Sequence, residues 1–311
     1  MSSGLRMALA DRGQVASILS GAVTPRTFRL DVAAVSPVTK AFRAMVNEQA
    51  FDISEMPLTT LAMAIEHGRP MIGIPVVLNR DFHHRSILVN RNSGIRDAAD
   101  LPGRRIGVRA YSQTTGVWVR GLLRDEYGVS PDSVTWVTFE GSHVKEFVDP
   151  PNVVRADPGR SLAGMLESGE LDAAAIMDPR IEHPDVLPLF PDAAVLSKEL
   201  FARTGINPVN HVIAVSSDAA AAHPGLVQEL FDLFVASKEN YLEKLRSGTE
   251  LNREDRYKLV LESLVEGDPM PYGFKENQAS MQLLLSHAHD QQLTDTQLRA
   301  EELFHSDLLH T

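Results

Sequence analysis

Short apolar runs that alternate with amphipathic helical stretches constrain this chain more than any other feature. Residues 5–9, 30–35, 71–78 and 86–89 read as strands. Residues 11–19, 37–49 and 57–67 read as helices between them. Parallel strands need crossover connections, and a helix is the usual crossover, so this alternation implies α/β units on mostly parallel sheets. Pro57 suits a first helical turn, where its missing N–H has no partner to lose. A second α/β pattern begins near Asp97, with strands at 106–108, 134–138 and 173–176 and helices at 113–127 and 161–168. Gly128 stands where a left-handed C-cap belongs. The proline-rich run 149–158 reads as loop, because proline cannot continue a ladder. A strand at 210–215 and a long helix at 223–245 follow, and the helical C-terminal third breaks at Asp268-Pro269-Met270-Pro271-Tyr272-Gly273.

With 311 residues, the chain is longer than one core usually serves, so two domains are expected. Crossings near 89–92 and 206–211 give a discontinuous outer lobe, 1–91 plus 211–311, and an inserted lobe, 92–210. A ligand cleft between two such lobes closes by a hinge. The net charge of −11 argues against a nucleic-acid surface, which needs basic stripes. Arg104, Arg105, Arg109 and Arg120 still cluster in sequence and leave room for a local anion site. With no cysteine, the chain has no disulfide, thiolate nucleophile, cysteine-ligated zinc or cysteine lipid anchor. The first residues lack the apolar core of a signal peptide, and no segment approaches the roughly 18 apolar residues of a membrane span. A cytoplasmic protein with no membrane partner is expected; homo-oligomerisation stays open.

The richest local chemistry lies in Tyr111-Ser112-Gln113-Thr114-Thr115-Gly116-Val117-Trp118-Val119-Arg120-Gly121, a polar turn that opens a helix after a buried strand. Backbone N–H groups of a first helical turn, with the positive end of the helix dipole, suit a carboxylate. The same residue types also serve as ordinary helix caps.

Several segments in order resemble the 4,5-dihydroxyphthalate decarboxylases, a soluble enzyme branch of the type II periplasmic-binding-protein fold. They are Phe51-Asp52-Ile53-Ser54-Glu55-Met56, Ile74-Pro75-Val76 with Arg80-Asp81-Phe82-His83-His84, and Gly107-Val108 with the turn above. Asp125-Glu126-Tyr127-Gly128-Val129, Thr204-Gly205-Ile206-Asn207-Pro208-Val209-Asn210-His211 and the 268–273 break complete the set. Where the family pattern reads Arg-x-Phe-Arg-His, His83 replaces the second Arg. The resemblance implies an α/β, two-lobed fold, each lobe a mixed, mostly parallel sheet flanked by helices. It implies a carboxy-lyase acting on a small dihydroxylated aromatic carboxylate. The same scaffold also serves non-catalytic carboxylate-binding proteins of the ABC-transporter substrate-binding type, which is the alternative, and other small-molecule reactions are a weaker third.

Loss of carbon dioxide from such a ring needs a proton donor at the carbon that carries the carboxylate, and fixed donors for the other carboxylate. The hydroxylated ring is its own electron sink, so no organic cofactor is required. His84 is the first proton-transfer candidate, favoured by the family pattern over its neighbour His83. On a strand the two would face opposite ways. Glu55 or His211 would support it, the former alternatively favouring a helix N-terminus and the latter alternatively bonding backbone. Substrate contacts are expected from Ser54, His83, Arg85, Arg109, Ser112, Gln113, Thr114, Thr115 and Trp118. Glu140, Gly141, His143 and Asp178 join them at predicted strand ends. Trp118 is equally a core residue, and Arg120, inside its helix, reads as reaching for the surface. No histidine or carboxylate set has metal spacing; a divalent ion on vicinal substrate oxygens stays open.

Overall fold

The computed structural model describes residues 4–177, 181–265 and 267–311. In chain order its strands are β1 (Leu5–Ala8), β2 (Leu30–Val32), β3 (Ile53–Pro57), β4 (Met71–Arg80), β5 (Ile87–Asn90), β6 (Arg105–Val108), β7 (Thr135–Thr138), β8 (Val153–Arg155), β9 (Ala173–Ala175), β10 (Val186–Pro188) and β11 (Val209–Ser216). They form two sheets, ordered β2-β1-β3-β11-β4 and β10-β5-β9-β6-β7-β8. The chain divides into two compact units. One runs up to Arg80 and includes Val209–Gln282 and Leu298–Thr311; the other comprises Asp81–Pro208 and Leu283–Gln297.

In the first unit β1 pairs in parallel with β2 and β3, while β11 pairs antiparallel with both β3 and β4. The sheet is therefore mixed: β11 re-enters it running opposite to both neighbours. β3 carries five buried residues in a row, as a central strand covered on both faces should. The helix Thr39–Glu48 buries Ala41, Phe42, Met45 and Val46, a helical stripe that packs one face inward. The helix Leu58–Glu66 is buried nearly all round.

In the second unit β6 pairs in parallel with β7 and β9, and β7 with β8, while β5 is antiparallel to β9 and β10. Val137, Leu166, Leu171 and Ala174 form part of its core. The helix Thr114–Tyr127 follows β6 and ends on Gly128 in the left-handed conformation that the sequence predicts (φ 67°).

Four expectations need correction. β3 was not legible as a strand, because Ser54 and Glu55 interrupt its apolar run; Pro57 ends it in extended conformation instead of starting a helical turn. The proline-rich run 149–158 contains β8, whose three residues avoid the prolines altogether. The first crossing lies at Arg80/Asp81 and not at 91/92, since β5 pairs with β9 and β10 of the second sheet. The segment Leu283–Gln297, expected in the outer lobe, belongs with the second unit.

The C-terminal segment lies directly on β4, where the His305 N–H donates to the Gly73 carbonyl at 3.0 Å. A Cβ at Gly73 would stand 2.8 Å from the Leu303 carbonyl oxygen and from the Phe304 ring. Gly73→Ala should therefore cost about 1–3 kcal/mol through overpacking. Urea denaturation checks this, and an unchanged midpoint would show that the segment can move aside freely.

Candidate active site

Glu55 sits in the middle of β3 with no exposed surface. A lone buried carboxylate costs several kcal/mol, so it needs donors. Three converge on it. The Ala10 N–H and the Arg12 guanidinium each donate at 3.0 Å, and His211 Nδ1 donates at 2.6 Å. Burial pushes the Glu55 carboxyl up, but Arg12, His211 and the Ala10 N–H outweigh it and hold the group at about 2. The carboxylate is thus ionised and only accepts, which places a proton on His211 Nδ1.

β11 brings His211 here. Opposite β3 it pairs with Pro57, and on its other side the register with β4 shifts on either side of it. Such irregularities re-aim side chains. The Phe42 ring meets the imidazole edge-on at 5.3 Å. The His211 side chain keeps 17% exposure above a wholly buried Glu55. Ser54, on the same strand, spends its hydroxyl on the Glu55 carbonyl oxygen at 2.8 Å.

In the second unit Gln113 occupies the N-cap position of the helix Thr114–Tyr127 without a side-chain capping bond. Ser112, Thr114 and Thr115 are buried in this first turn. Beneath it lies Arg120, which is fully buried and does not reach the surface as the sequence suggested. It donates to the Tyr111 carbonyl at 2.6 Å and to Gln291 Oε1 at 2.5 Å, and its guanidinium rests 3.8 Å from the Tyr111 ring centre. Burial lowers it only to about 10, so it stays a cation. Among the described residues it has no carboxylate partner. Arg109 and Glu140 lie at the ends of β6 and β7, 3.6 Å apart, with Gly141 and a buried His143 beyond them.

His83 and His84 do not lie on a strand; they form a short 3-10 turn, His83–Ser86, and both are buried. His84 Nδ1 lies 3.3 Å from the Ser197 hydroxyl, and its ring meets Tyr127 and Phe190 edge-on. Burial lowers it to about 4, against a weaker opposing pull from Glu126. His84 is therefore neutral near pH 7 and stands in a different unit from Glu55 and His211. His83 stacks on Trp118 at 6.1 Å, and both line a cavity of about 140 Å³ with Phe82, Leu122 and His287. Arg85 pairs with Asp81 at 3.0 Å. Asp178 lies outside the described residues. Among the described residues no group of three histidine or acidic side chains could hold a metal ion, and no helix is long and apolar enough to cross a membrane.

The geometry thus brings Glu55 and His211 together, as the sequence allowed, and adds Arg12, which the sequence did not single out. Nothing near Arg12 marks it, because its partner is 43 residues away.

Comparison with known proteins agrees with this architecture. Across its whole length the chain resembles the periplasmic aliphatic sulphonate binding protein SsuA from Escherichia coli, with TM-score 0.57, 13% identity and full coverage of both chains. The fold is therefore of the type II periplasmic-binding-protein-like class. The NMT1/THI5-like family model matches residues 29–150. A 4,5-dihydroxyphthalate decarboxylase from Comamonas testosteroni is 32% identical over 82% of this chain and 82% of its own length. One from Pseudomonas putida is 38% identical over 46% of this chain and 60% of its own. The chain belongs to the 4,5-dihydroxyphthalate decarboxylase family.

Two pH effects follow. The Glu55 carboxyl, at about 2 when folded against an ordinary 4.5, adds stability that is whole above pH 4.5 and lost as pH falls through 2. Acid unfolding followed by circular dichroism should show that step, and Glu55→Gln should lack it. His84, at about 4 against 6.5, favours the fold fully above pH 6.5 and loses that effect as pH falls toward 4. His84→Gln should flatten the fall of Tm across that window; an equal slope would contradict the burial argument.

Proposed function

We propose that this chain decarboxylates 4,5-dihydroxyphthalate or a close dihydroxylated aromatic acid, with His211 as the proton donor. The observation that carries this is the 2.6 Å bond between His211 Nδ1 and the buried Glu55 carboxylate, in a chain of this family. Glu55 fixes the imidazole by accepting from Nδ1. In this reading Nε2–H delivers the proton to a ring carbon of the substrate, the side chain keeping 17% exposure. Protonation occurs at the carbon bearing the leaving carboxylate, with the para hydroxyl releasing electron density into the ring. The bond to the carboxylate breaks, its electron pair restores aromaticity, and carbon dioxide leaves. His211 then regains a proton from solvent.

His84, the first candidate from sequence, fits this role less well. Its lowered proton affinity leaves it neutral, and among the described residues its hydrogen-bond partner is the Ser197 hydroxyl and not a carboxylate. In the second unit, the polar turn at 112–115 over the buried Arg120 cation suits a carboxylate. No organic cofactor enters the proposed step, since the hydroxylated ring accepts the charge.

The test is conversion of 4,5-dihydroxyphthalate to 3,4-dihydroxybenzoate and carbon dioxide, with and without a chelator. His211→Gln should lower kcat by about 10²–10⁴ while ligand-induced thermal stabilisation persists. His84→Gln should retain turnover. Full turnover by the His211 variant would overturn the assignment. Saturable binding without turnover in the unmodified chain would favour the carboxylate-binding alternative, to which the likeness to SsuA lends support. Loss of turnover with chelator would add a divalent ion to the reaction.

A further inference from the structure

The break at 268–273 is held more firmly than a connecting loop requires. Lys238 donates to Asp268 at 2.6 Å and to the Met270 carbonyl at 3.1 Å. Asn277 donates to the carbonyls of Pro271 and Gly273 at 2.9 and 2.8 Å, and Arg80 in turn bonds Asn277 Oδ1. The Gly273 N–H donates to the Pro75 carbonyl at 2.9 Å. These buried groups fix both flanks of Tyr272, and the Lys238 ammonium lies 4.6 Å from its ring centre.

Among the described residues the hydroxyl so positioned has no hydrogen-bond partner. Tyr272 Oη is buried and unbonded, and so are Arg12 Nε and Arg80 Nε in the same unit. Arg80 reaches the carbonyl of Pro271, the residue before Tyr272, at 3.5 Å, and it stands on β4 next to Asn79, the register partner of His211. Burial, with Asp268 adding to it and both guanidiniums opposing, pushes the Tyr272 phenol above its ordinary range, so it stays protonated and is a donor at neutral pH. An unmet buried donor destabilises a fold, and a chain that fixes one so firmly has a ligand acceptor to offer it. These three atoms can donate, and a group that satisfies such donors near a guanidinium is an anionic oxygen.

We infer that Tyr272 is a substrate-contacting residue, its hydroxyl donating to an anionic oxygen of the aromatic acid on the side of the sheet where Arg80 and His211 stand on neighbouring strands. This rests on the reading proposed above. The oxygen belongs either to a carboxylate or to an ionised ring hydroxyl, and ligands carrying only one of these separate the two.

Tyr272→Phe keeps the ring and its contact with Lys238 and removes only the hydroxyl. For the variant, kcat/KM with 4,5-dihydroxyphthalate should fall tenfold or more, while Tm stays equal or rises because the unmet donor is gone. Calorimetric binding of phthalate and of catechol identifies the oxygen. A tenfold weakening for phthalate assigns a carboxylate, and one for catechol assigns a ring oxygen. As a second readout, either ligand should give a tyrosine difference band in the near ultraviolet with the wild-type chain, and no such band overturns the contact. Unchanged kcat/KM and unchanged binding of both ligands also overturn it, while leaving the decarboxylase reading intact. Changed binding in a wild-type chain that shows no turnover would do the reverse: the contact stands and the reaction falls.

Discussion

Glu55 is a charge with no exposure in the centre of a sheet, and the first unit is arranged to keep it ionised. Its three donors come from separate parts of the chain: the loop after β1 gives Ala10 and Arg12, and β11 gives His211. The strands that carry or adjoin these groups, β1, β3 and β11, are consecutive in the sheet. Removing one partner from such a set costs several kcal/mol, because the remaining charge stays buried and uncompensated. The interaction therefore ties strand order to chemistry. It fixes a proton on Nδ1 of His211.

The same unit shows how buried polar groups divide between structure and chemistry. Asn277, Lys238 and Asp268 have their bonds within the protein and brace one loop. Tyr272, held by that loop, has none. In the second unit Arg120 is the comparable feature, a buried cation bonded to a carbonyl and an amide but, among the described residues, to no carboxylate, with its Nη1 unbonded. It stabilises the turn in front of the helix Thr114–Tyr127 through the Tyr111 carbonyl. It also leaves net positive charge beneath the helix N-terminus, where the dipole has the same sign.

Some of this was legible along the chain. The alternation of apolar runs and helical stripes disclosed two α/β units, and Gly128 marked a helix end because a left-handed cap is a local requirement. Glu55 and His211 could be named as candidates from their segments. Their 2.6 Å bond could not, since 156 residues separate them and only the antiparallel pairing of β11 with β3 brings them together. β3 was hidden because Ser54 and Glu55 break its apolar pattern, and Glu55 is the buried carboxylate on which three donors converge. His83 and His84 lie in a 3-10 turn and not on a strand, and aromatic neighbours pack against the buried His84; neither feature leaves a local mark in the sequence.

The sequence by itself determined the class of fold, through periodicities that depend only on near neighbours, and the family, through motifs spread in order along the chain. Tertiary structure decided which polar residues have partners. It made Arg12 a donor to Glu55, buried Arg120 and left the Tyr272 hydroxyl unmet. Proton affinity and hydrogen-bond satisfaction depend on burial and on groups remote in sequence, so no local pattern encodes them.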